Sequence, residues 1–128
     1  MSLHLTLIPG RWAACRLPAS AEIPDWATRS TVFWNLTRTR DELSILCPEE
    51  DVPPEIRHQG NWCLLRFEGP FEFSATGVLA SVADPLAAAG VSLLAIATYD
   101  TDYVFLPGDD LEKALAALAD AGHHIHRP

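Results

Sequence analysis

The chain has 128 residues, which suits one compact core or two small fused units and is too short for a conventional multidomain enzyme. Hydrophobic residues make up 48% of it and charged residues 20%, values typical of folded globular proteins and not of disordered chains. Nine Lys and Arg against 17 Asp and Glu give a net charge of -8, so nucleic acids and anionic membranes would be repelled. We therefore expect no nucleic-acid partner and no membrane partner.

Secretion and membrane insertion are not expected from the sequence. A signal peptide has Lys or Arg before its apolar stretch, and this chain has neither there. The most apolar run, residues 91–97, is far shorter than the roughly 20 residues that cross a bilayer. Three cysteines, Cys15, Cys47 and Cys63, lie in apolar segments without C-x-x-C spacing, which indicates reduced, buried thiols. These features predict a cytoplasmic protein.

The first half of the chain predicts five short strands, because apolar and β-branched runs alternate with turn residues. The strands are expected at residues 3–8, 12–17, 31–38, 43–47 and 62–67. Pro9-Gly10 predicts a hairpin between the first two strands, and Arg40-Asp41-Glu42 predicts a second hairpin. The acidic residues 48–60 contain three prolines and predict a surface linker.

The second half opens with a predicted helix whose apolar residues have helical spacing, at Val78, Leu79, Val82 and Leu86. Ser74 or Thr76 can cap its start, whereas Pro85 inside it should bend or restart it. Gly90 ends this helix, and two strands are then predicted at residues 91–98 and 103–106 around a polar turn.

A second helix is predicted from apolar residues at i, i+3, i+4 and i+7, namely Leu111, Ala114, Leu115 and Leu118. Asp109 and Asp110 can cap its start, Gly122 ends it, and residues 123–126 predict a short final strand. From residue 62 onward the predicted order is therefore β-α-β-β-α-β, which is the ferredoxin-like pattern and predicts an α+β fold.

A weak internal repeat links the two halves of the chain. When the chain is aligned with itself at one constant difference in residue number, six residues of the first half match six of the second. They are Thr39, Asp41, Ile45, Pro48, Glu50 and Asp51, which align in this order with Thr98, Asp100, Val104, Pro107, Asp109 and Asp110. We call this constant difference in residue number the repeat offset. Short alignments also arise by chance, so the repeat alone leaves a common origin and a chance match equally open. We expect two units, at residues 1–60 and 61–128.

Neither a metal site nor a hydrolytic site is favoured by residue spacing. On a strand, His124 and His126 share one face and His123 points away, and no Cys or carboxylate pattern completes a tetrahedral set. The chain has no G-x-S-x-G elbow, no H-E-x-x-H helix and no glycine-rich phosphate loop. We therefore expect no metal, no cofactor and no enzymatic reaction.

The polar turn at residues 98–102 is the strongest candidate for ligand binding. Its carboxylates, hydroxyls and Tyr99 ring suit a small cationic or zwitterionic ligand, although an ordinary solvated hairpin turn has the same composition. Gly77 opens the predicted helix and would let a carboxylate approach backbone N–H groups, although a glycine there also suits close helix-to-sheet packing.

Four stretches of the chain together resemble a known family. They are NLTRTRDELS (35–44), TGVL (76–79), DPLAAA (84–89) and ATYDTDY (97–103). In these stretches the sequence resembles the bacterial ACT-domain proteins related to the CASTOR arginine sensors. The resemblance implies two fused ferredoxin-like ACT units, each an antiparallel sheet backed by helices, with the first unit degenerate in its helices.

The resemblance also implies a function and a set of binding residues. It implies a non-catalytic regulatory module that binds an amino acid at an ACT–ACT interface, as a homodimer with a possible regulated protein partner. The implied ligand-binding residues are Gly77, Val78, Ser92, Leu93, Thr98, Tyr99 and Asp102. Asp102 would accept hydrogen bonds from a cationic group, and Ser92 and Leu93 would close the pocket from the partner unit.

One residue departs from the arginine-binding pattern. Ala75 stands where the arginine-binding relatives have an acidic residue just before the helix, so one counter-charge for a guanidinium is missing. A neutral or smaller amino acid is therefore an equal expectation. The alternative function is a protein-interaction module without a small-molecule ligand, which uses the exposed turn and the acidic linker.

Overall fold

The computed structural model describes all residues, 1–128, and it has the predicted α+β architecture. Its regular elements are β1 (His4–Leu17), β2 (Asn35–Arg38), β3 (Leu43–Pro48), β4 (His58–Phe67), α1 (Val78–Ala88), β5 (Leu94–Ala97), β6 (Asp102–Pro107), α2 (Leu111–Asp120) and β7 (His124–His126). Short 3₁₀ turns occur at Asp25–Thr28, Glu49–Asp51 and Gly108–Asp110. No helix has the length and apolar character that a bilayer crossing requires.

The first predicted hairpin is wrong, because β1 is one continuous strand. Pro9-Gly10 does not reverse the chain; Gly10 takes a φ of 98°, a conformation that glycine adopts without strain, and the strand continues. The two halves of β1 pair with other strands and not with each other. Residues 4–6 run parallel to β7, and residues 12–17 run antiparallel to β3.

Backbone contacts divide the chain into two compact units, and β1 and β4 each contribute to both. The carboxy-terminal unit comprises Met1–Pro9 and Cys63–Pro128, and the amino-terminal unit comprises Gly10–Trp62. This division differs from the predicted boundary at residue 60, because the first nine residues belong with the end of the chain. The reason is the pairing of β1 with β7, which the sequence pattern did not indicate.

The carboxy-terminal unit follows the predicted β-α-β-β-α-β order, from β4 to β7. Its strand order is β7-β1-β4-β6-β5, so the first part of β1 lies as an extra strand between β4 and β7. Helix α1 buries Val78, Val82 and Leu86, and α2 buries its predicted stripe in the same core. Strand β5 is shorter than predicted, because regular pairing with β6 covers only Leu94–Ala97.

Pro85 lies inside α1 without ending it, because a histidine side chain replaces the hydrogen bond that proline cannot donate. In a helix the carbonyl of residue 81 would accept from the N–H of residue 85, which proline lacks. The buried ring of His123 takes that place, with Nε2 2.7 Å from the Ser81 oxygen. Because the Leu3 N–H donates to Nδ1 at 3.1 Å, the neutral ring with its proton on Nε2 satisfies both groups.

The amino-terminal unit keeps the strands of the repeat and has no long helix. Its strand order is β2-β3-β1-β4, with β2 and β3 forming the second predicted hairpin. A 3₁₀ turn at Asp25–Thr28 follows β1 where the other unit has a helix, which agrees with the expected degeneracy. The predicted linker is shorter than expected, because β4 already begins at His58. The core of this unit contains Ala13, Cys15, Ala27, Leu43, Ile45 and Cys47.

The internal repeat is present in the structure at the same offset as in the sequence. Strands β5 and β6 begin and end at the repeat offset from β2 and β3, and so does the 3₁₀ turn at Gly108–Asp110 from that at Glu49–Asp51. The turns between the strands are also alike. Thr39 N–H donates to the Glu42 carbonyl at 2.9 Å, and Thr98 N–H donates to the Thr101 carbonyl at 2.8 Å.

Candidate functional site

The start of α1 presents backbone N–H groups that no side chain caps. Gly77 is the N-cap residue, with a φ of 76° that favours glycine, and neither Ser74 nor Thr76 takes the capping role expected from sequence. The first N–H groups of a helix lack intrahelical acceptors, and they carry the positive end of the helix dipole. The start of α1 is therefore suited to an anionic group such as a carboxylate.

The hairpin turn between β5 and β6 is held by its own threonines. The Thr98 hydroxyl and N–H both lie within hydrogen-bond distance of the Thr101 carbonyl, at 2.9 and 2.8 Å. The Thr101 hydroxyl donates to the Phe67 carbonyl at 2.7 Å, which ties the turn to the end of β4. The turn therefore presents its neighbouring side chains from a fixed backbone.

The segment between β4 and α1 lies opposite this turn and forms the second wall of the site. Phe71 N–H donates to the Asp100 carbonyl at 2.9 Å, so this segment is bonded to the turn. The rings of Phe73 and Tyr99 meet edge to face, with centroids 4.7 Å apart and an interplanar angle of 73°. Both residues remain open to solvent, 76% and 79% exposed respectively, which leaves aromatic surface available to a ligand or a partner.

These walls border an open cavity of about 180 Å³ beside the start of α1. It is lined by Phe71, Glu72, Phe73, Ala75, Val78, Ala97, Thr98, Tyr99, Asp100, Thr101 and Asp102. Four residues predicted to bind ligand, Val78, Thr98, Tyr99 and Asp102, thus line one cavity, and Gly77 directly precedes Val78. We call this cavity the α1 groove.

The α1 groove is acidic. Three of its lining residues, Glu72, Asp100 and Asp102, are acidic, and no Lys, Arg or His lines it. Arg66 lines a neighbouring cavity but is engaged by Glu68, with Nη2 2.8 Å from Oε1. Hydrogen bonds from Thr6 and Arg66 hold the pKa of the Glu68 carboxyl below its usual range, so this carboxylate stays charged beside the arginine.

Two predicted residues, Ser92 and Leu93, do not line the α1 groove. They precede β5, where Ser92 is exposed and Leu93 packs against the core of its own unit. Their expected role was to close the pocket of a partner copy, and that role stays a prediction.

Sequence reasoning missed the wall formed by Phe71, Glu72 and Phe73. The segment has no period of its own, and Gly69-Pro70 marked only the end of a strand. The available signal was an acidic residue between two large aromatic residues in a segment that is otherwise loop. Glu72 lines the same cavity as Ala75, the position where the expected acidic residue is missing.

The three carboxy-terminal histidines do not gather into a site. His123 is buried and bonded to backbone, whereas His124 and His126 are exposed on one face of β7, as predicted. The His124 ring stacks on that of His4, with centroids 4.7 Å apart. The structure contains no cluster of three or more side chains arranged to hold a metal ion.

Profiles of two protein domain families together match most of the chain. The sequence profile of the ACT domain matches residues 57–120, and a second profile, described as an N-terminal domain, matches residues 10–55. Residues 57–120 contain the α1 groove.

Two curated relatives carry the same name, cytosolic arginine sensor for mTORC1 subunit 1. The Pongo abelii protein is 34% identical over an alignment of 125 positions, and the alignment covers 91% of this chain and 38% of the relative. The Bos taurus protein is 34% identical over an alignment of 98 positions, and the alignment covers 68% of this chain and 30% of the relative. The chain thus spans about a third of the length of these relatives.

Solved structures show the same fold. Protein Atu0741 from Agrobacterium tumefaciens has a TM-score of 0.94 and 37% identity, covering 100% of this chain and 95% of that protein. The regulatory subunit of aspartate kinase from Thermus flavus has a TM-score of 0.60 and 14% identity, covering 94% of this chain and 99% of that subunit. The profile match and the identity to the arginine sensors lead to one conclusion: the chain belongs to the ACT-domain family and is related to those sensors.

Proposed function

We propose that the chain is a non-catalytic regulatory module that binds a free amino acid in the α1 groove. The observation that carries this proposal is the juxtaposition of an uncapped helix start with three acidic residues that line one small cavity. A zwitterion carries one charge of each sign on neighbouring atoms, and the groove offers a partner for each. The names of the relatives, arginine sensors and an aspartate kinase regulatory subunit, support an amino acid as ligand and a regulatory role.

The two ends of the amino acid have distinct partners in this proposal. The α-carboxylate accepts hydrogen bonds from backbone N–H groups at Gly77 and Val78, at the positive end of α1. Asp102 accepts from the ammonium group, and Thr98 adds a hydroxyl at the same turn. Phe73 and Tyr99 cover the apolar part of the ligand side chain.

The charge of the α1 groove favours an amino acid with a cationic side chain. One ammonium group neutralises one carboxylate, and Glu72 and Asp100 remain to attract a second positive charge. Aromatic faces also attract organic cations, which gives Phe73 and Tyr99 a second role. The sequence had placed a neutral ligand on equal terms because of Ala75, and the position of Glu72 favours arginine or lysine over it.

The ligand is proposed to sit at a seam between two copies of the chain. The α1 groove is open and carries two exposed aromatic rings, and Ser92 and Leu93 of a second copy would cover it. Because the chain spans only about a third of the length of the arginine sensors, a second copy would supply part of the length that those proteins have in one chain. We propose a cytosolic location, which is the location given in the name of those relatives, and a regulated protein partner.

A thermal-shift screen against the twenty amino acids tests this function. Ligand at a hundredfold excess over its Kd stabilises the folded state by about 2.7 kcal/mol, which raises the Tm of a domain of this size by about 10 °C. Arginine or lysine is expected to give the largest shift, and citrulline, which is neutral, a much smaller one. A Tm that no amino acid changes at millimolar concentration would count against the proposal.

The second candidate function is a protein-interaction module, and the exposure of Phe73 and Tyr99 favours it. In that case the aromatic pair would contact a protein partner and the carboxylates would bind no small molecule. The double variant Phe73→Ala, Tyr99→Ala would then abolish partner capture while purified wild-type protein shows no Tm shift with any amino acid. A saturable shift with one amino acid would instead support the sensor.

A further inference from the structure

We propose that the buried side chain of His123 is a positioning residue for ligand binding, because it holds the first turn of α1 in place through Ser81. His123 does not line the α1 groove and does not contact the ligand in this proposal. The proposal rests on the proposed function, because it takes the start of α1 as the site of the ligand carboxylate. It goes further by making the affinity for that ligand depend on a side chain near the carboxy terminus.

Ser81 connects the start of α1 with His123 through three hydrogen bonds. Its N–H donates to the Gly77 carbonyl at 3.0 Å, and its hydroxyl donates to the Val78 carbonyl at 2.7 Å. Its own carbonyl accepts from Nε2 of His123 at 2.7 Å. Gly77 and Val78 are the residues whose N–H groups are proposed to bind the carboxylate. Ser81 therefore joins both of them to one buried side chain.

The Ser81 carbonyl depends on His123 because its usual partner in the helix is missing. In an α-helix this carbonyl accepts from the N–H of the residue four positions later, which here is Pro85 and has no N–H. Helices bend at proline, where the hydrogen-bond ladder is interrupted. The turn before this interruption is the first turn of α1, so its direction depends on the bond from His123.

The His123 ring is itself fixed by the surrounding backbone. The residue is only 5% exposed, and the Leu3 N–H donates to Nδ1 at 3.1 Å. The backbone N–H of His123 donates to the Leu118 carbonyl at 3.1 Å, and that of His124 donates to the Leu3 carbonyl at 2.8 Å. A side chain that is held in this way can orient the group that it contacts. The ring therefore presents Nε2 to Ser81 from a fixed position.

The direction of the first turn matters because backbone N–H groups bind a carboxylate best when they already point at one place. If the turn adopts other directions, the apparent Kd rises by the inverse of the fraction of chains in the competent conformation. Loss of the bond from His123 is expected to weaken amino-acid binding about fivefold, which is the order of effect of one lost hydrogen bond.

Two amide variants separate the two hydrogen bonds of the ring. His123→Gln places an amide nitrogen close to the position of Nε2 and keeps a donor for Ser81. His123→Asn places an oxygen close to the position of Nδ1 and keeps an acceptor for the Leu3 N–H. Because each variant loses one hydrogen bond, both are expected to lower Tm by about 4 °C. They are thus matched in stability and differ in the bond to Ser81.

Calorimetry with arginine compares the affinities of the two variants. His123→Gln is expected to bind arginine with a Kd within about twofold of the wild-type value, and His123→Asn about fivefold more weakly. Pro85→Ala supplies an N–H to the Ser81 carbonyl, so adding His123→Asn in that background should leave the Kd within about twofold. Equal Kd values for His123→Gln and His123→Asn would overturn the proposal. The same holds if His123→Asn weakens binding equally with Pro85 and with alanine there.

Hydrogen exchange of the ligand-free proteins tests the positioning role without reference to any ligand. The Ser81 amide is expected to exchange about fivefold faster in His123→Asn than in His123→Gln, because the first turn opens locally. The amide of Leu115, within α2, is expected to exchange equally in both variants. Equal rates at Ser81 overturn the role of His123. If arginine does not bind the wild-type protein, the proposed function fails, whereas these exchange rates still decide the role of His123.

Ser81→Ala is the second variant, for the case that His123→Asn fails to fold. It removes the hydroxyl bond to the Val78 carbonyl and introduces a better helix former, so the fold is expected to persist. Arginine binding is expected to weaken about threefold, because one of the two bonds that hold the start of α1 is lost. A Kd equal to the wild-type value would overturn the proposal.

Discussion

Asp102→Asn is expected to weaken amino-acid binding by about 10- to 100-fold, because a charge-assisted hydrogen bond contributes about 1.5 to 3 kcal/mol and the variant keeps only a neutral acceptor. Asp102 begins β6 and is partly exposed, so the substitution creates no buried cavity. The free energy of unfolding without ligand should therefore change little. Isothermal titration calorimetry with the amino acid that gives the largest thermal shift measures the Kd, and urea unfolding measures the stability.

Asp120→Asn is the matched control for this variant. Asp120 is the last residue of α2, is exposed, and lies outside the lining of the α1 groove. The same change of charge at that position is expected to leave the Kd within about twofold of the wild-type value, because an exposed charge at a distance is screened by salt. Equal affinities for Asp102→Asn and the wild-type protein would remove Asp102 from the site.

His123→Phe is expected to lower the free energy of unfolding by about 2 to 4 kcal/mol, the largest stability effect that the structure predicts for one polar side chain. The residue is only 5% exposed, and phenylalanine keeps much of its volume. The substitution leaves the Leu3 N–H and the Ser81 carbonyl without their partners. Urea unfolding of both proteins gives the difference directly.

A double-mutant cycle separates the role of the Ser81 carbonyl from simple loss of packing. Pro85→Ala supplies the N–H that the helix lacks, so His123→Phe should cost about 1 to 2 kcal/mol less in that background. His124→Phe, on the exposed side of β7, is expected to change stability by less than about 0.5 kcal/mol. If His123→Phe lowered the free energy of unfolding equally in the wild-type and Pro85→Ala backgrounds, the histidine would not replace the missing donor.

The sequence predicted the parts of the fold that local periodicity governs. Both helices and the strand regions follow apolar spacing or turn residues, and the internal repeat indicated the correspondence of the two hairpins. The α+β architecture and the β-α-β-β-α-β order followed from these elements.

Pairing between distant strands was not predictable in the same way. Pro9-Gly10 has the composition of a hairpin turn, and only the pairing of β1 with β7 and β3 shows that the chain continues straight. Pro85 posed a similar conflict. A residue from the far end of the chain supplies the missing donor, and no local pattern connects His123 with Ser81.

The candidate site was predictable where it lies on or beside regular elements, and not where it lies on the segment between β4 and α1. Gly77 opens a helix, and Thr98 and Asp102 flank a tight turn, so their types and positions predicted a binding role, whereas Val78 was predicted from the family resemblance. Glu72 and its two aromatic neighbours lie in a loop segment that is bonded to the turn through the Phe71 N–H and the Asp100 carbonyl. That bond forms between residues with no shared sequence pattern.

Titration of the ¹⁵N-labelled protein with the preferred amino acid, followed by NMR of the backbone amides, tests the central claim most directly. Saturable shifts are expected for the amides of residues 77–80 and 98–102, while those of the matching turn at residues 39–42 stay in place. Shifts confined to other residues, or none at a concentration that saturates the thermal shift, would contradict binding in the α1 groove.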